Sequence, residues 1–514
     1  MSPRPRRALV AAVAVSLAVP LVLVGAGVLV RWWVARTDTV GQVAFERPLH
    51  VPPLAPSRVE ADGTRVFDLA MQPGSSRFTG EGESPTWGVD GAYLAPTLRA
   101  ARGETVRVEV TNDLPEATNL HWHGMHLPAR MDGGPHRMVQ PGETWTPTWT
   151  VDQPAATTWY HPHAHGSTAT HVARGLLGAF LLDDPEAAPE GLPDTYGVDD
   201  VPLLLQDVRL TGDGRRREQG TGGTVGPLGT RLLVNGTVGP VLDVTTEAVR
   251  LRLVNASAAR VYDLVLSDAR PFHVVATDGG LLAAPVEVDS LRLTPGERAE
   301  VVVRLSAGET VDLRSRPPAL GVSAPVARLV GARDAFDVLR LRAADELVAS
   351  PPLPQVLAAA PDVDEDDATR EREMVLSGDA INGNGHDLSR VDVVVEAGAV
   401  ERWVVRNDDG IPHNFHVHDV RLVVASLDGQ APPPVLRGWK DTVWVAPGTE
   451  VELVVRFGDH TDPDVPYMFH CHVLAHHDRG MMGQFVVVEP GTAADHPGTV
   501  GTSVDDAIFP SHDH

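Results

Sequence analysis

Apolar and polar residues alternate along three short segments of the chain, and each segment ends in an asparagine. The segments are VRVEVTN ending at Asn112, VRLRLVN ending at Asn255 and ERWVVRN ending at Asn407. Alternation with a period of two is typical of a strand that has one buried and one solvent-facing side. The pattern therefore predicts the same strand three times over.

Each of these strands is followed by a Pro-Gly turn that opens a second alternating segment, with the prolines at Pro141, Pro295 and Pro447. The interval from asparagine to proline is 40 residues in the second and third copies and 29 in the first. Short strands bounded by such turns favour β-sandwiches, and their recurrence indicates repeated domains. We therefore predict an all-β protein of three consecutive sandwich domains, over residues 45–187, 195–345 and 372–490.

Three other parts of the chain stand apart from this repeat. An uncharged apolar run of 23 residues, Ala8 to Val30, follows a basic N-terminus and precedes an Arg-Trp-Trp sequence. A helix of that length spans about 34 Å, enough to cross a bilayer. Residues 1–37 are thus expected to be an uncleaved membrane anchor with the rest of the chain outside the cytoplasm, or else a signal that is removed. Residues 346–371, rich in proline and acids, are predicted as a linker, and residues 491–514 as a flexible tail.

Composition narrows the class of protein. The 514 residues carry 43 basic and 68 acidic side chains, a net charge of −25, so nucleic acid is not expected as a partner. The single cysteine, Cys471, excludes a disulfide bond within the chain. Because it lies between two histidines, we interpret it as a metal ligand rather than an inert core residue.

Histidine pairs separated by one residue occur four times, twice in the first predicted domain and twice in the third. One pair in each domain stands nine and eleven positions after the repeat asparagine, where the middle domain has Leu264 and Leu266. Residues i and i+2 of a strand point to the same face, so each pair offers two imidazoles to one side. Eight imidazoles at an interface between two domains would bind a cluster of metal ions, although imidazole alone does not choose the metal. The pairs are His121 and His123, His161 and His163, His416 and His418, and His470 and His472.

The surroundings of Cys471 favour copper. On the strand FHCHV, the cysteine is expected to face away from its two histidine neighbours. His476 and Met481 follow it at intervals of five residues, and His413 lies in the partner segment. Two histidines, a thiolate and a long axial methionine are the ligands of a blue-copper electron-transfer site, whereas zinc has no use for a thioether. The strand would then connect this copper covalently to the cluster on its other face.

With these motifs in place, the sequence resembles the multicopper oxidases of the three-domain, laccase-like bacterial type. Four family motifs are present: HWHG, HPH within WYHPHAHG, HNFHVH and HCHVLAHHDRGMM. The resemblance covers residues 45–490 and implies that the three domains are cupredoxin-like Greek-key sandwiches, with no copper ligands in the middle one.

The resemblance also implies four copper ions and a ligand set for each. The type 1 copper would take His413, Cys471, His476 and, axially, Met481, although Met482 competes for the axial place. The type 2 copper would take His121 and His416. The type 3 pair would take His123, His161, His163, His418, His470 and His472.

The reaction implied by the resemblance is four one-electron oxidations of a reductant coupled to reduction of dioxygen to two waters. Electrons would leave Cys471 through His470 or His472. Because the reduction consumes protons, an acid near the cluster is expected, and Asp132 stands where the family places one. A structural aspartate in the Gly-rich turn RMDGGP is the alternative interpretation. His477 occupies a position where the family often has a second acid, which puts a second proton route in question.

The substrate is less determined than the metal. A phenolic reductant, as in laccases, is the leading hypothesis, with oxidation of Cu(I), Mn(II) or Fe(II) or a bilirubin-oxidase-like activity as alternatives. None of the nine methionines lies in residues 346–372, and Met125, Met131 and Met138 are spread along the loop after HWHG without forming a cluster, which favours organic substrates over Cu(I). A non-catalytic envelope protein of the same fold is disfavoured because no ligand is missing, and a copper nitrite reductase because it needs fewer domains. We expect a monomer that contacts the membrane only through its N-terminal segment.

Several histidines fall outside these motifs. His165 and His171 have no counterpart in the repeat, and a further five are expected to be solvated: His126, His136, His460, His512 and His514. The segment 427–441 is a candidate wall of the substrate pocket or a connecting loop.

Overall fold

The structure, a computed structural model, describes residues 36–79, 81–218 and 223–501, together with residues 23, 25–27 and 29–30. Most of the predicted anchor, and His512 and His514, therefore lie outside the described residues. Within the described part of the chain, no helix is both long and apolar enough to span a membrane. The all-β prediction is confirmed, and the chain forms three cupredoxin-like sandwiches.

The first domain packs one four-stranded and one six-stranded sheet face to face. In the larger sheet the strand Arg65–Ser76 runs parallel to the strand Thr105–Asn112, so neighbours in space are not neighbours in sequence. The ten strands of the first domain are β2 (Ser57–Val59), β3 (Arg65–Ser76), β4 (Ser84–Val89), β5 (Leu98–Ala101), β6 (Thr105–Asn112), β7 (His121–His123), β8 (Thr144–Trp145), β9 (Thr148–Thr150), β10 (Ala156–His161) and β11 (Gly178–Asp183).

The middle domain packs a seven-stranded sheet on a six-stranded one, and its strand Asp200–Val208 runs parallel to the strand Ala248–Asn255 in the same way. Its strands are β1 (Arg47–Pro48), β12 (Asp200–Val208), β13 (Arg231–Val234), β14 (Thr237–Val238), β15 (Pro240–Thr246), β16 (Ala248–Asn255), β17 (Tyr262–Leu266), β18 (Phe272–Thr277), β19 (Gly280–Val288), β20 (Leu291–Leu293), β21 (Arg298–Arg304), β22 (Thr310–Arg316) and β23 (Phe336–Val348).

The third domain has two five-stranded sheets, and here the strand Arg370–Ser377 runs parallel to the strand Val400–Asn407. Its strands are β24 (Arg370–Ser377), β25 (Ala380–Ile381), β26 (Val393–Glu396), β27 (Val400–Asn407), β28 (His413–Val417), β29 (Arg421–Leu427), β30 (Thr442–Val445), β31 (Glu450–Arg456), β32 (Asp462–His470) and β33 (Met482–Val488). The described α-helices are short: α1 (Thr168–Arg174), α2 (Ala324–Ala327) and α3 (Leu474–Asp478). The 3₁₀ turns are Ala129–Met131, Glu365–Asp367, Pro434–Leu436 and Ala493–Asp495.

The asparagine that ends each repeat strand has the same role in all three domains. Its side-chain amide donates to the carbonyl of the residue two positions before the proline of the Pro-Gly turn: Val139 for Asn112, Leu293 for Asn255 and Val445 for Asn407, at 2.8–3.0 Å. Buried amides that satisfy backbone carbonyls hold a loop against its strand. The repeated asparagine thus has a structural role, because it joins the strand to the following turn. This explains why the motif is also present in the middle domain, which lacks the histidine pairs.

The domain ends differ in part from the predicted borders. Residues 36–48 belong to the middle domain, since Thr37 donates to Asp334 and β1 pairs with β15. The predicted linker begins within β23 and is pinned where Leu357 enters the middle core. The expected tail is bound to the third domain through residue 501, with the Val500 amide donating to the Ser389 carbonyl at 2.9 Å. Hydrogen bonds and apolar packing between segments distant in the chain, which composition does not reveal, account for these differences.

Candidate metal centre

The eight histidines of the four pairs meet at the boundary between the first and third domains. All are at most 1% exposed. Strand pairing brings His121 opposite His161 in the first domain and His416 opposite His470 in the third. The ring of His121 then stacks on that of His418 at 3.8 Å, and the ring of His123 on that of His416 at 3.8 Å. The predicted gathering of eight imidazoles is therefore present.

Ring nitrogens within the cluster approach one another at the distances expected around a shared metal ion. Nε2 of His470 lies 3.2 Å from Nε2 of His163 and 3.3 Å from Nε2 of His418. Nδ1 of His123 lies 3.4 Å from Nε2 of His161. Ligand atoms in a tetrahedral site with bonds of about 2.1 Å are about 3.4 Å apart. The nitrogens thus already have the mutual spacing of metal ligands.

The opposite nitrogen of many of these rings is held by a hydrogen bond. Nδ1 donates to a backbone carbonyl in four cases, at 2.8–3.1 Å: His121 to Asp132, His161 to Pro162, His416 to Asp441 and His470 to Cys471. A ring that donates from Nδ1 keeps its Nε2 lone pair free for a metal. The surrounding backbone therefore selects the tautomer that a metal needs.

Several inward-facing nitrogens of the cluster have no hydrogen-bond partner, namely Nε2 of His121, Nε2 of His416 and both nitrogens of His472. Unsatisfied polar atoms at such depth are costly unless a ligand satisfies them. Burial also lowers the pKa of His163 and His470 far below its usual value, and neighbouring imidazoles reinforce the effect. Neutral imidazole is the form that binds metals, so the cluster fits several copper ions.

A second group of ligands surrounds Cys471. Its Sγ lies 3.6 Å from Nδ1 of His413 and 3.5 Å from Nδ1 of His476. The outer nitrogens are again held, because Nε2 of His413 donates to Asp409 at 2.9 Å and Nε2 of His476 to the Thr224 carbonyl at 2.9 Å. Both imidazoles are thereby oriented with a free nitrogen towards the sulfur.

The cysteine itself is fully buried, and burial raises the pKa of its thiol to about 12. A thiol in such surroundings ionises only when a cation compensates its charge, which a copper ion would do. Met481 is buried beside it, with its carbonyl accepting from the Cys471 amide at 3.1 Å and its amide donating to His476 at 3.0 Å. Met482, in β33, instead lies opposite His470 of the neighbouring strand β32. These contacts favour Met481 as axial ligand, and the assignment stays a prediction.

The ligands lie at strand ends rather than within strands. β32 ends at His470, so Cys471 and His472 follow it, and His163 and His418 likewise lie just beyond β10 and β28. Only the pair at His121 lies wholly within a strand. The expected strand geometry around Cys471 is thus replaced by an extended turn into α3. The separation of faces nevertheless holds, since the sulfur faces His413 while its two neighbours join the cluster.

Asp132 lies against the cluster as expected. Its carboxylate accepts a hydrogen bond from Nδ1 of His418 at 2.9 Å, and its carbonyl accepts from His121. Burial alone would raise the pKa of Asp132, but His418 and His121 lower it below its usual range. The group is therefore an anion that orients two ligand rings, and it is not a protonated acid at rest.

His477 adjoins the cluster at His163 and His470. Nδ1 of His163 lies 3.3 Å from Nε2 of His477, and Nδ1 of His477 lies 3.2 Å from Oδ1 of Asp478. Asp478 also accepts the amides of Thr168 and Ala169 at 3.0 Å, at the start of α1 in the first domain. The carboxylate thus fixes the proton of His477 on Nδ1, and this in turn leaves Nε2 to accept from His163.

The middle domain contributes a buried ionic network that sequence reasoning missed. Arg298 donates to both oxygens of Asp441, at 2.7 and 2.5 Å, and Asp441 accepts from Nε2 of His123 at 3.2 Å. Lys440 forms ion pairs with Asp278 at 2.9 Å and Glu297 at 3.0 Å. Lys440 is the only lysine in the sequence. That Lys440 is the one lysine and stands next to Asp441 is the feature of the sequence that could have pointed to this network.

A glycine of the middle domain also touches the cluster. Gly296, in the second Pro-Gly turn, has φ +84°, and an added Cβ would lie 2.7 Å from Cγ of His472. We expect Gly296→Ala to displace His472 and to leave fewer copper ions bound per chain, measured by metal analysis after dialysis. Gly448→Ala is the matched control, since it has φ +70° in the third copy of the turn and nothing within 4 Å. Equal copper contents in the two variants would contradict the expectation.

Of the histidines predicted to be solvated, His126 and His136 are largely shielded from solvent. His136 is buried and hydrogen-bonded to Gln484, so its prediction was wrong. His126 has only 13% of its side chain exposed and pairs with buried Asp419. His460 is one-third exposed and stacks on His126. His171 is buried against Trp87, while His165 is exposed.

The segment 427–441 does not form a wall of the substrate pocket expected near Cys471. It packs on the middle domain, where the Trp439 carbonyl accepts from Thr277 and Gly279 at 2.8 and 2.9 Å. Its end delivers Lys440 and Asp441 behind the histidine cluster. The structure therefore favours the connecting-loop interpretation.

Comparison with known proteins identifies the family to which this three-domain architecture belongs. Multicopper oxidase family models match residues 70–187, 199–311 and 350–491. Cell division protein FtsP of Yersinia pestis is 40% identical over 86% of this chain and 93% of its own length. Cell division protein FtsP of Escherichia coli (strain K12) is 37% identical over 88% of this chain and 94% of its own length.

Solved structures extend the likeness to three dimensions. The laccase-like multi-copper oxidase CueO from the lignin-degrading bacterium Ochrobactrum sp. has a TM-score of 0.78 at 37% identity, covering 86% of this chain and all of that one. A multicopper oxidase from Campylobacter jejuni, described as a metallo-oxidase, has a TM-score of 0.75 at 26% identity, covering 88% and 98% of the two chains. The family implies copper binding, for which the clustered histidines and Cys471 provide suitable ligands. The chain belongs to the multicopper oxidase family.

Proposed function

We propose that the protein is a copper-dependent oxidase that couples one-electron oxidations of a small phenolic reductant to reduction of dioxygen to water. The observation that carries the proposal is the position of Cys471. Its sulfur faces His413 and His476, while the residues on either side of it, His470 and His472, belong to the eight-histidine cluster. One short covalent segment therefore joins a site for electron entry to a site for a multi-electron reaction.

The ligands that would hold copper are those assigned from the motifs. Copper bound there would supply the one-electron redox chemistry at Cys471 and the four-electron reduction of dioxygen at the histidine cluster. The chain contributes the path between them, through the peptide bonds from Cys471 to His470 and His472. It also excludes bulk water, because every ligand side chain assigned to either centre is buried.

Proton supply is the second contribution of the chain. Reduction of one dioxygen to two waters takes four electrons and four protons. Asp132 contacts His418 and His121, and His477 contacts His163, so a carboxylate and an imidazole lie on two sides of the cluster. In our proposal they hold the ligand rings and exchange protons with water near the cluster.

Electron entry is proposed at His413. Its Nε2 donates to Asp409, whose side chain is 23% exposed and therefore reachable from solvent. A phenol docked there would donate its hydroxyl hydrogen bond to this carboxylate. Loss of one electron towards Cys471 and of the proton to Asp409 would leave a phenoxyl radical, so charge is balanced at each of the four oxidations.

Oxygen uptake by the copper-loaded full-length protein tests the proposal, with a methoxyphenol and, separately, Cu(I) held in a weak chelator as reductants. Faster uptake with the phenol would support the laccase-like activity. Faster uptake with Cu(I) would instead support a metallo-oxidase, for which the partly exposed Asp409 beside the entry histidine is the favouring observation. No uptake with either, at four copper ions per chain, would overturn the oxidase proposal.

The name of the FtsP relatives makes a role in cell division the second candidate, and their identity to this chain is the observation that favours it. Such a role would suit a protein anchored by residues 1–37 outside the cytoplasm. A strain lacking the protein separates the two functions. A division defect rescued equally by the wild type and by a Cys471→Ser variant that shows no oxygen uptake would favour division without oxidase activity.

Asp478→Asn is expected to weaken copper binding at the cluster by about 10–100-fold, because an amide has one accepting oxygen in place of two and cannot hold His477, Thr168 and Ala169 together, which loosens the orientation of His163. The measurement is copper retained against a graded chelator. Asp408→Asn, at an exposed carboxylate of the same domain that pairs with Arg406, is the control and should retain copper as the wild type does. Equal retention by both variants would show that Asp478 does not act through His477.

A further inference from the structure

A separate group of histidines and carboxylates lies at the surface where the first and third domains meet, outside both proposed copper centres. Two members follow β7 and β9 of the first domain, and two lie in the loop between β31 and β32 of the third. We call this group the His126 site, and its residues are His126, Asp152, Asp459 and His460.

The ring of His126 is oriented by a buried carboxylate. Asp419, whose side chain is fully buried, accepts a hydrogen bond from Nδ1 of His126 at 2.7 Å and from the Leu127 amide at 3.2 Å. This hydrogen bond keeps a proton on Nδ1 and directs Nε2 away from the core. A carboxylate that accepts from one ring nitrogen, with the other nitrogen directed outward, is one of the arrangements that orient metal-ligating histidines.

The outward nitrogen faces two carboxylates that are too far away for good hydrogen bonds. Nε2 of His126 lies 3.5 Å from Oδ1 of Asp459 and 3.7 Å from Oδ2 of Asp152. Nδ1 of His460 lies 4.0 Å from Oδ1 of Asp459. Hydrogen bonds from nitrogen to oxygen are normally 2.7–3.2 Å long. Ligand atoms around a tetrahedral metal ion are about 3.4 Å apart, which is closer to the spacing observed here.

The backbone leaves room for this arrangement. A Cβ at Gly458 would collide with the ring of His126, so the glycine is what allows the loop to approach. The ring of His460 stacks on that of His126 with centroids 4.7 Å apart. Asp152 and Asp459 are 54% and 83% exposed, so an ion can enter from solvent and keep a water ligand.

We propose that the His126 site binds one divalent transition-metal cation, of the class that takes imidazole and carboxylate ligands, and thereby links the first domain to the third. Zn²⁺ and Cu²⁺ both belong to this class. Because each domain supplies one imidazole and one carboxylate, the bound ion holds together the interface at which the eight-histidine cluster lies. The proposal does not depend on oxidase activity, since binding at this site is measured directly.

The test is calorimetric titration of Zn²⁺ into the copper-loaded full-length protein, whose proposed copper sites are already filled. We expect one zinc equivalent that is lost, or weakened at least about tenfold, in the double variant Asp152→Asn with His460→Ala. Both substituted side chains are partly exposed, and the variant's copper content and melting temperature without zinc verify that it is folded. His460→Ala alone should fall between the wild type and the double variant.

His273→Ala is the matched control, because His273 faces the single carboxylate of Glu287 at 3.8 Å on the surface of the middle domain. It should bind zinc as the wild type does, and zinc should raise the melting temperature of both. Equal binding by the wild type and the double variant would overturn the proposal, because the zinc would then be bound elsewhere. An absence of zinc binding by the wild type up to about 1 mM would also overturn it, since binding weaker than that has a free energy less favourable than about −4.1 kcal/mol.

Discussion

Cys471→Ser is expected to abolish oxygen uptake, with a loss of more than about 100-fold, since replacing even the outer partners of metal ligands costs 10–100-fold. The hydroxyl of serine does not replace a thiolate as a copper ligand, and the path from Cys471 to its histidine neighbours loses its entry point. Bound copper should fall by one ion per chain, and the blue colour of the protein should disappear.

Two neighbouring variants make this result specific. Met482→Leu should retain colour and activity, because Met482 pairs with His470 in β33 and is not the assigned axial ligand. Met481→Leu should retain copper but shift the reduction potential of the blue site. If Cys471→Ser kept its colour and its uptake, or if Met482→Leu behaved as expected of Met481→Leu, the assigned ligands would be wrong.

Asp441→Ala is expected to lower the free energy of unfolding by about 3–5 kcal/mol, the cost of leaving one partner of a buried ion pair without compensation. The guanidinium of Arg298 is fully buried and loses two hydrogen bonds, while Nε2 of His123 loses its acceptor. Copper retention should fall as well, because His123 is no longer held with Nδ1 towards His161. Chemical denaturation and copper analysis measure the two effects.

The effect of Asp441 should depend on pH. Burial alone would raise the pKa of Asp441, but Arg298 and His123 hold it well below its usual range. A carboxyl whose pKa is lower in the folded than in the unfolded chain stabilises the fold above its unfolded pKa of about 3.9 and loses that contribution as the pH falls. The difference in stability between the wild type and Asp441→Asn should therefore be complete at pH 6 and shrink below pH 4.

Asp243→Ala provides the comparison for Asp441→Ala. Asp243 pairs with Arg342 on the surface of the same middle domain whose Arg298 reaches the cluster, and both side chains are more than half exposed. Its removal should leave the unfolding midpoint unchanged, because exposed pairs add little. A wild-type midpoint for Asp441→Ala would show that Arg298 finds another partner, with Asp278 the nearest carboxylate at 3.8 Å.

The strand repeat was predictable because it is written in local periodicity. The asparagines at 112, 255 and 407 end strands in the structure as predicted, and the hydrogen bonds from their side-chain amides to the following turn recur in each domain. The two faces of the segment around Cys471 were also predictable, since alternation survives where the strand itself has ended.

The sequence by itself thus determined three sandwiches, four histidine pairs and a cysteine between two ligand groups, because spacings of two residues and repeat positions depend only on local geometry. Only the tertiary structure decided what supports them. Arg298 and Asp441 are far apart in the chain, and His126 meets Asp419 across two domains. Such contacts follow no period in the sequence, because they depend on how whole domains pack. The middle domain therefore supports the metal centre through the contact of Arg298 with Asp441, although its sequence carries none of the predicted ligands.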